Sequence, residues 1–92
     1  MNSKKISTPA DLGISIAQNL RIQRKSLNLS MQGLSKLSGV SFGSVRRFEE
    51  TGEISLMSLL KIAIVLDCAS EFEQLFKQSK PGSIREIIDG NL

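Results

Sequence analysis

Between Ser30 and Gly52 the apolar positions fall into a pattern that two short helices and a sharp turn explain. Leu34 and Leu37 stand three apart, Val45 and Phe48 stand three apart, and Val40 lies between the two pairs. That spacing gives each helix one inward stripe and makes Val40 the hydrophobic pin of the turn. Gly39 supplies the left-handed backbone that ends the first of these helices, and Ser41 follows two residues later as an N-cap. So short a connection makes the helices cross steeply. Ser35 is small because the second helix passes close to the first at that point. The stretch reads as a helix-turn-helix.

The second of these helices, expected over Phe42 to Glu49, turns a different set of residues outward: Phe42, Gly43, Ser44, Arg46 and Arg47. Arginine can donate two parallel hydrogen bonds to guanine in the major groove, serine can reach base or phosphate, and an exposed aromatic ring or a glycine can lie against a thymine methyl. An isolated Arg-Arg pair is more simply a solvated helix surface. The turn in front of it shifts the balance towards DNA reading.

The flanking patterns are also helical. Thr8 as cap, Pro9 at the first helical position and Asp11 as the reciprocal acid of a capping box predict a first helix running to about Ser26. Leu12, Ile16, Ala17 and Leu20 form its expected inward stripe, and Arg21, Arg24 and Lys25 gather towards its end. Asn28 and Leu29 then link to Ser30, the cap of the second helix. After Gly52, Ser55 caps a fourth helix reaching about Leu66, with Leu56, Leu59, Leu60 and Ala63 towards the core. Met57 and Ile64 lie on its other side, so that helix has apolar surface to spare, to be covered by a fifth helix or by a second subunit. Ser70 and Glu73 make a capping box for the fifth helix, whose Phe72, Leu75 and Phe76 share one face. Lys80, Pro81 and Gly82 break the chain. Ser83 to Asp89 repeats the capping pattern and places Ile84, Ile87 and Ile88 on one side of a helix too short to persist alone in water. That piece must dock on its own domain, on a dimer mate or on a partner protein.

The expected organisation is therefore all-α with five helices: a flexible basic N-terminal arm at 1–8, a helix-turn-helix domain at 9–78 with the motif at 30–49, and a C-terminal docking segment at 79–92. The arm carries Lys4 and Lys5 and is either a disordered tail or an extension that touches the DNA backbone. At 92 residues the chain suits one small domain with a single core.

Charge sharpens this picture. The net charge of +3 hides a division. Met1 to Phe48 holds eight basic residues against one acid, whereas Glu49 to Leu92 holds four against eight. A polyanion is drawn to the half that contains the turn motif and repelled by the other, which orients the molecule before any specific contact forms.

Composition narrows the chemistry. With no Trp or Tyr, a stacking platform for single-stranded nucleic acid is disfavoured. A single cysteine, Cys68, and no histidine leave no intrachain disulfide, no Cys/His zinc site and no imidazole base, and a reducing cytoplasm fits. Cys68 itself reads as buried apolar filler rather than a redox switch. No signal peptide is visible, because Met1 to Ser7 is not followed by an apolar stretch of the needed length. Leu56 to Leu66 is too short to span a bilayer and carries Lys61. Gly39-Val40-Ser41-Phe42-Gly43 is a literal G-x-S-x-G. That hydrolase elbow needs a preceding strand and a histidine, and the same five residues are explained by turn and cap. No enzyme and no cofactor is expected.

Taken together, Leu20 to Leu66 closely resembles the lambda-repressor-like, or Xre-type, DNA-binding family, through Leu29-Ser30, Leu34-Ser35, Gly39-Val40-Ser41, Val45 and Arg47-Phe48-Glu49. The resemblance implies a five-helix domain in which the start of the recognition helix reads bases. It thereby assigns base reading to Phe42, Gly43, Ser44 and Arg47, and contact with the DNA backbone to Gln32, Ser41, Arg46 and Thr51. It also implies a structural tie between Arg24 and Glu49. Two departures stand out. Where the family usually has a glutamine directly after the second helix's cap, this chain has Met31, with Gln32 one place late, and the loop after the recognition helix carries Glu50 and Glu53 rather than basic residues.

More narrowly, Ser44 to Ala63 resembles the repressor-antitoxins encoded beside HipA-type serine/threonine kinase toxins, which dimerise on DNA, bind the kinase and repress their own operon. Phage repressors and restriction-modification controllers share the same helices. The resemblance implies a dimeric repressor on a palindromic operator, with Met57, Ile64, Ile84, Ile87 and Ile88 available to a second subunit or a kinase toxin. The competing expectation is a protein-interaction module whose helix-turn-helix is purely architectural.

Overall fold

The computed structural model describes residues 8–77 and is all-helical over that span. Five helices follow one another: α1 (Pro9–Ser26), α2 (Met31–Ser38), α3 (Phe42–Thr51), α4 (Leu56–Val65) and α5 (Ala69–Glu73). The N-terminal arm and the segment carrying Ile84, Ile87 and Ile88 lie outside the described residues. α1 packs on α3, α2 packs on both α3 and α4, and α5 lies against α4.

Four of the helix starts follow from local chemistry. Thr8, Ser30, Ser41 and Ser55 each accept a hydrogen bond from the backbone N–H three residues on, satisfying one of the donors that a helix start leaves open. α5 is different. Its cap is Cys68, with no side-chain cap bond, so the expected Ser70–Glu73 box does not form and Ser70 sits inside the helix. The reason is the tight corner before it: Asp67 takes a left-handed conformation and the Cys68 N–H donates to the Ala63 carbonyl at 2.8 Å, which starts the new helix two residues early.

The core sits where α1, α2, α3 and α4 meet and consists of Ala17, Leu20, Leu34, Val40, Val45, Phe48, Ile62, Ala63 and Leu66. Leu34, Val45, Phe48 and Ile62 are its fully buried large side chains, each contributing about 1.5–3 kcal/mol by leaving water.

Three helix faces differ from expectation. On α1 the buried stripe is Ala17, Leu20 and Arg24, while Leu12 and Ile16 are exposed. The inner line continues back through Gly13, because α1 comes so close to the end of α3 that a Cβ at Gly13 would lie 2.9 Å from the Gly52 carbonyl oxygen. No leucine fits there, and the helix is rotated to put its smallest residues inward. On α2, Leu37 is exposed, and Val40, delivered by the turn, fills the core beside Leu34 instead. On α4 the inward line is Leu59, Ile62, Ala63 and Leu66, which leaves Leu56 in solvent at the first position of the helix. The fifth helix does not extend the core far either. Phe72 is half-buried, but Leu75 and Phe76 are exposed, and Phe76 lies beyond the helix with a positive φ.

The spare apolar surface of α4 remains open among the described residues, with Met57 63% and Ile64 68% exposed despite the presence of α5. Cys68 is half-buried beside the core, and its thiol is pushed up from the ordinary value by burial first and by Glu71 and Asp67 second. It is correspondingly poor in thiolate at neutral pH.

The close approach of α1 and α3 is testable. We expect Gly13→Ala to lower the free energy of unfolding by about 1–2 kcal/mol in urea titration, because the overpacking against backbone outweighs the gain in helix propensity.

Candidate nucleic-acid interface

The turn between α2 and α3 is held by one glycine and three serines. Gly39 adopts φ 78° and donates to the Ser35 carbonyl at 2.9 Å. The Ser35 hydroxyl donates to the Val40 carbonyl at 2.6 Å, so this residue is needed for its hydrogen bond as well as its size. The Ser38 hydroxyl accepts from the Val40 N–H at 3.1 Å, and Ser41 caps α3 through the Ser44 N–H. Every bond here fixes where α3 begins.

A second fixture sets how α3 is oriented. Arg24, buried near the end of α1, reaches across to Glu49 on α3 with two hydrogen bonds, Nε to Oε2 at 2.7 Å and Nη2 to Oε1 at 2.9 Å. Its remaining terminal nitrogen donates to the Leu29 carbonyl at 2.7 Å. One guanidinium thus joins α1, the loop leading to α2, and α3. The side chains of Arg24 and Glu49 are only 8% and 7% exposed, and the hydrogen bond with Glu49 raises the already high pKa of the guanidinium. Among the described residues no buried side-chain nitrogen or oxygen lacks a partner.

With both faces of α3 accounted for, the outward one can be described. Val45 and Phe48 point into the core and Glu49 to Arg24, which leaves Phe42, Gly43, Arg46 and Arg47 exposed and Ser44 half-exposed. A Cβ built at Gly43 meets nothing within 4 Å, so the backbone there is bare to solvent at the start of the helix. The Ser41 hydroxyl donates to the Ser44 hydroxyl at 2.9 Å, which commits the Ser41 proton and leaves that of Ser44 available to an outside acceptor. Gln32 is exposed in the first turn of α2, and Met31, in the position the family usually gives to glutamine, packs against the core.

The arginines are not idle. Arg46 Nε donates to Glu50 at 3.0 Å, one turn along the helix. Arg47 Nη2 donates to Glu53 beyond the helix end, and that hydrogen bond, followed by the charge of Glu53, raises the Arg47 pKa. Thr51 stands between them: its hydroxyl donates to the Arg47 carbonyl at 2.7 Å and accepts from the Glu53 N–H at 3.2 Å. Its proton is therefore used within the chain rather than offered to a phosphate. The i,i+4 spacing of Arg46 and Glu50 is visible in the sequence, whereas the pairing of Arg47 with Glu53 depends on the left-handed Gly52 that folds the loop back.

Residues 20–72, more than half of the chain, match the helix-turn-helix family. The chain belongs to the lambda-repressor-like, Xre-type helix-turn-helix family. That family consists of DNA-binding transcription regulators, and the matched residues include all of α2 and α3. No curated protein matches the chain. Among the described residues no helix is long and apolar enough to cross a membrane.

The tie across α1 and α3 carries a stability prediction. We expect Arg24→Met to cost about 3–5 kcal/mol, since it strands the buried Glu49 carboxylate, and the double change Arg24→Met with Glu49→Leu to recover most of that loss. Thermal and urea unfolding of both variants check it.

Proposed function

We propose that this protein is a sequence-specific transcriptional repressor that binds a palindromic operator as a homodimer in the cytoplasm. In this reading it is the antitoxin and autorepressor of an operon that also encodes a HipA-type kinase toxin. The observation that carries the DNA reading is the exposed face of α3, where Phe42, Gly43, Ser44 and Arg47 stand together at the recognition position.

Gly43 sits exposed in the first turn of α3, where alanine is at least as good a helix former, and the chain itself places nothing against it that would require glycine. Close approach of a base pair or a phosphate gives that glycine a purpose. Phe42 can lie on a thymine methyl, Ser44 can donate to a base or phosphate, and Arg47 can engage guanine. Arg46 and Gln32 meet the DNA backbone near the edges, while Ser41 and Thr51, first expected to touch it themselves, act by holding Ser44 and Arg47 in place.

Dimerisation is supported by specificity and by the apolar surface. One such domain reaches few bases, and two half-sites about one helical turn apart multiply the discrimination. Met57 and Ile64 are exposed apolar positions on α4 and offer a surface to a second subunit or to the kinase, and the sequence supplies Ile84, Ile87 and Ile88, outside the described residues, as further apolar positions for such a partner. The likeness of Ser44 to Ala63 to the HipA-associated repressors favours the toxin as that partner. The same exposed surface of α4 favours a second reading, a protein-interaction module whose helix-turn-helix is architectural.

Fluorescence anisotropy separates the two. A repressor binds the duplex directly upstream of its own reading frame in preference to an unrelated duplex of equal length, with affinity falling log-linearly with salt. We expect Arg47→Ala to lose about 10- to 100-fold on that duplex and to relax selectivity at one base, whereas an architectural surface residue loses almost nothing. Gly43→Ala separates binding from folding: we expect a stability equal to or above the wild type in urea, and weaker binding to the upstream duplex. Equal, weak binding of the wild type to both duplexes, indifferent to Arg47→Ala, overturns the repressor in favour of the interaction module.

A further inference from the structure

The recognition helix and the loop that follows carry two arginines, Arg46 and Arg47, against three glutamates, Glu49, Glu50 and Glu53. For a surface that approaches a polyanion this is an adverse balance. Glu49 is absorbed by Arg24 in the interior, but Glu50 and Glu53 are exposed and each holds one of the outward arginines. The Glu53 contact is built rather than incidental. Gly52 closes α3 with φ 81° and donates to the Phe48 carbonyl at 2.7 Å, which turns the chain back along the helix. Thr51 then pins the Glu53 N–H with the same hydroxyl that holds the Arg47 carbonyl, so the backbone of both partners is fixed through one side chain.

Glu53 takes one Nη2 hydrogen of Arg47 and leaves the other four of the five guanidinium N–H donors to be shared elsewhere. A guanidinium anchored in this way still presents an edge to the two neutral acceptors of guanine. It is less able to swing out towards a phosphate, and Glu53 itself repels phosphate at that point. We propose that Glu53 is a positioning and specificity-determining residue for DNA reading: it steers Arg47 towards the base edge and withholds it from the backbone. The role rests on the DNA-binding reading above and adds to it a named source of discrimination.

An exposed ion pair has little worth as a stabiliser, so the effect is to be sought in binding. The test uses the full chain and measures anisotropy on an unrelated duplex and on the upstream duplex across several salt concentrations. Its variants are Glu53→Gln, Glu73→Gln as a control for the loss of one exposed acid, Arg47→Ala, and Glu53→Gln combined with Arg47→Ala. Glu53→Gln should tighten the unrelated duplex about 3- to 10-fold and steepen its log-log salt slope by about one, the signature of one added phosphate contact. It should also narrow the preference for the upstream duplex. None of these changes should appear with Glu73→Gln, and all should vanish when Arg47 is already alanine.

The proposal is overturned if Glu53→Gln and Glu73→Gln act alike, or if the Glu53 effect persists undiminished without Arg47, because Glu53 then acts only as a charge. It is overturned alone, with the repressor reading intact, if the wild type discriminates between the duplexes and Glu53→Gln discriminates equally well. Absence of binding in both the wild type and Glu53→Gln overturns both.

Discussion

A single buried guanidinium decides how the parts of this domain are assembled. Arg24 has one charge and three directions to spend it in, and they lead to Glu49 on α3 by two bonds and to the Leu29 carbonyl at the entrance to α2. Hydrophobic burial brings α1 and α3 together but is indifferent to small rotations of one against the other. The fork of Arg24 is not, because both nitrogens must meet the same carboxylate. Since Glu49 and Arg47 lie on the same short helix, fixing one fixes the direction in which the other emerges. The interior ion pair and the outward face of α3 are two sides of one constraint.

Much of the domain was legible in the sequence because it rests on short-range rules. The serine and threonine caps, the left-handed Gly39, the Val40 pin and the pairing of Val45 with Phe48 all follow from residues a few positions apart. The helix faces were harder to place. Of the stripe expected on α1, Ala17 and Leu20 face inward, but Leu12 and Ile16 do not, and the structure turns Gly13 to that side in their place. Size was the wrong guide there. What decided the face was how near the two backbones come, a fact held jointly by Gly13 and Gly52 and by neither alone. Leu37 likewise stays in solvent, while the turn delivers Val40 to the core beside Leu34.

The outward face of α3 divides in the same way. Phe42, Gly43, Ser44, Arg46 and Arg47 could be placed outward from helical periodicity, since Val45 and Phe48 had to be inside. That the Ser41 hydroxyl donates a hydrogen bond to Ser44, and the Thr51 hydroxyl one to the Arg47 carbonyl, is visible only in the structure. So did the partner of Arg47. Glu53 lies six residues on, at a spacing no regular helix brings together, and it arrives through the reversal at Gly52. Glu50 and Glu53, which in the sequence stand out only as acids where the family has basic residues, are individually engaged by Arg46 and Arg47.

The contact between Gly13 and Gly52 has a consequence for how this protein can change. Hydrophobic cores drift by exchange, one side chain growing while its neighbour shrinks and the summed volume stays constant. Here both members are already the smallest residue there is, and each Cβ would strike the backbone of the other helix rather than a side chain that could be trimmed. Enlargement at either end has no counterpart to offset it. The pair is therefore closed to compensation by trimming a neighbour, and enlarging either glycine has to be met by a shift of backbone between α1, which carries Arg24, and the end of α3.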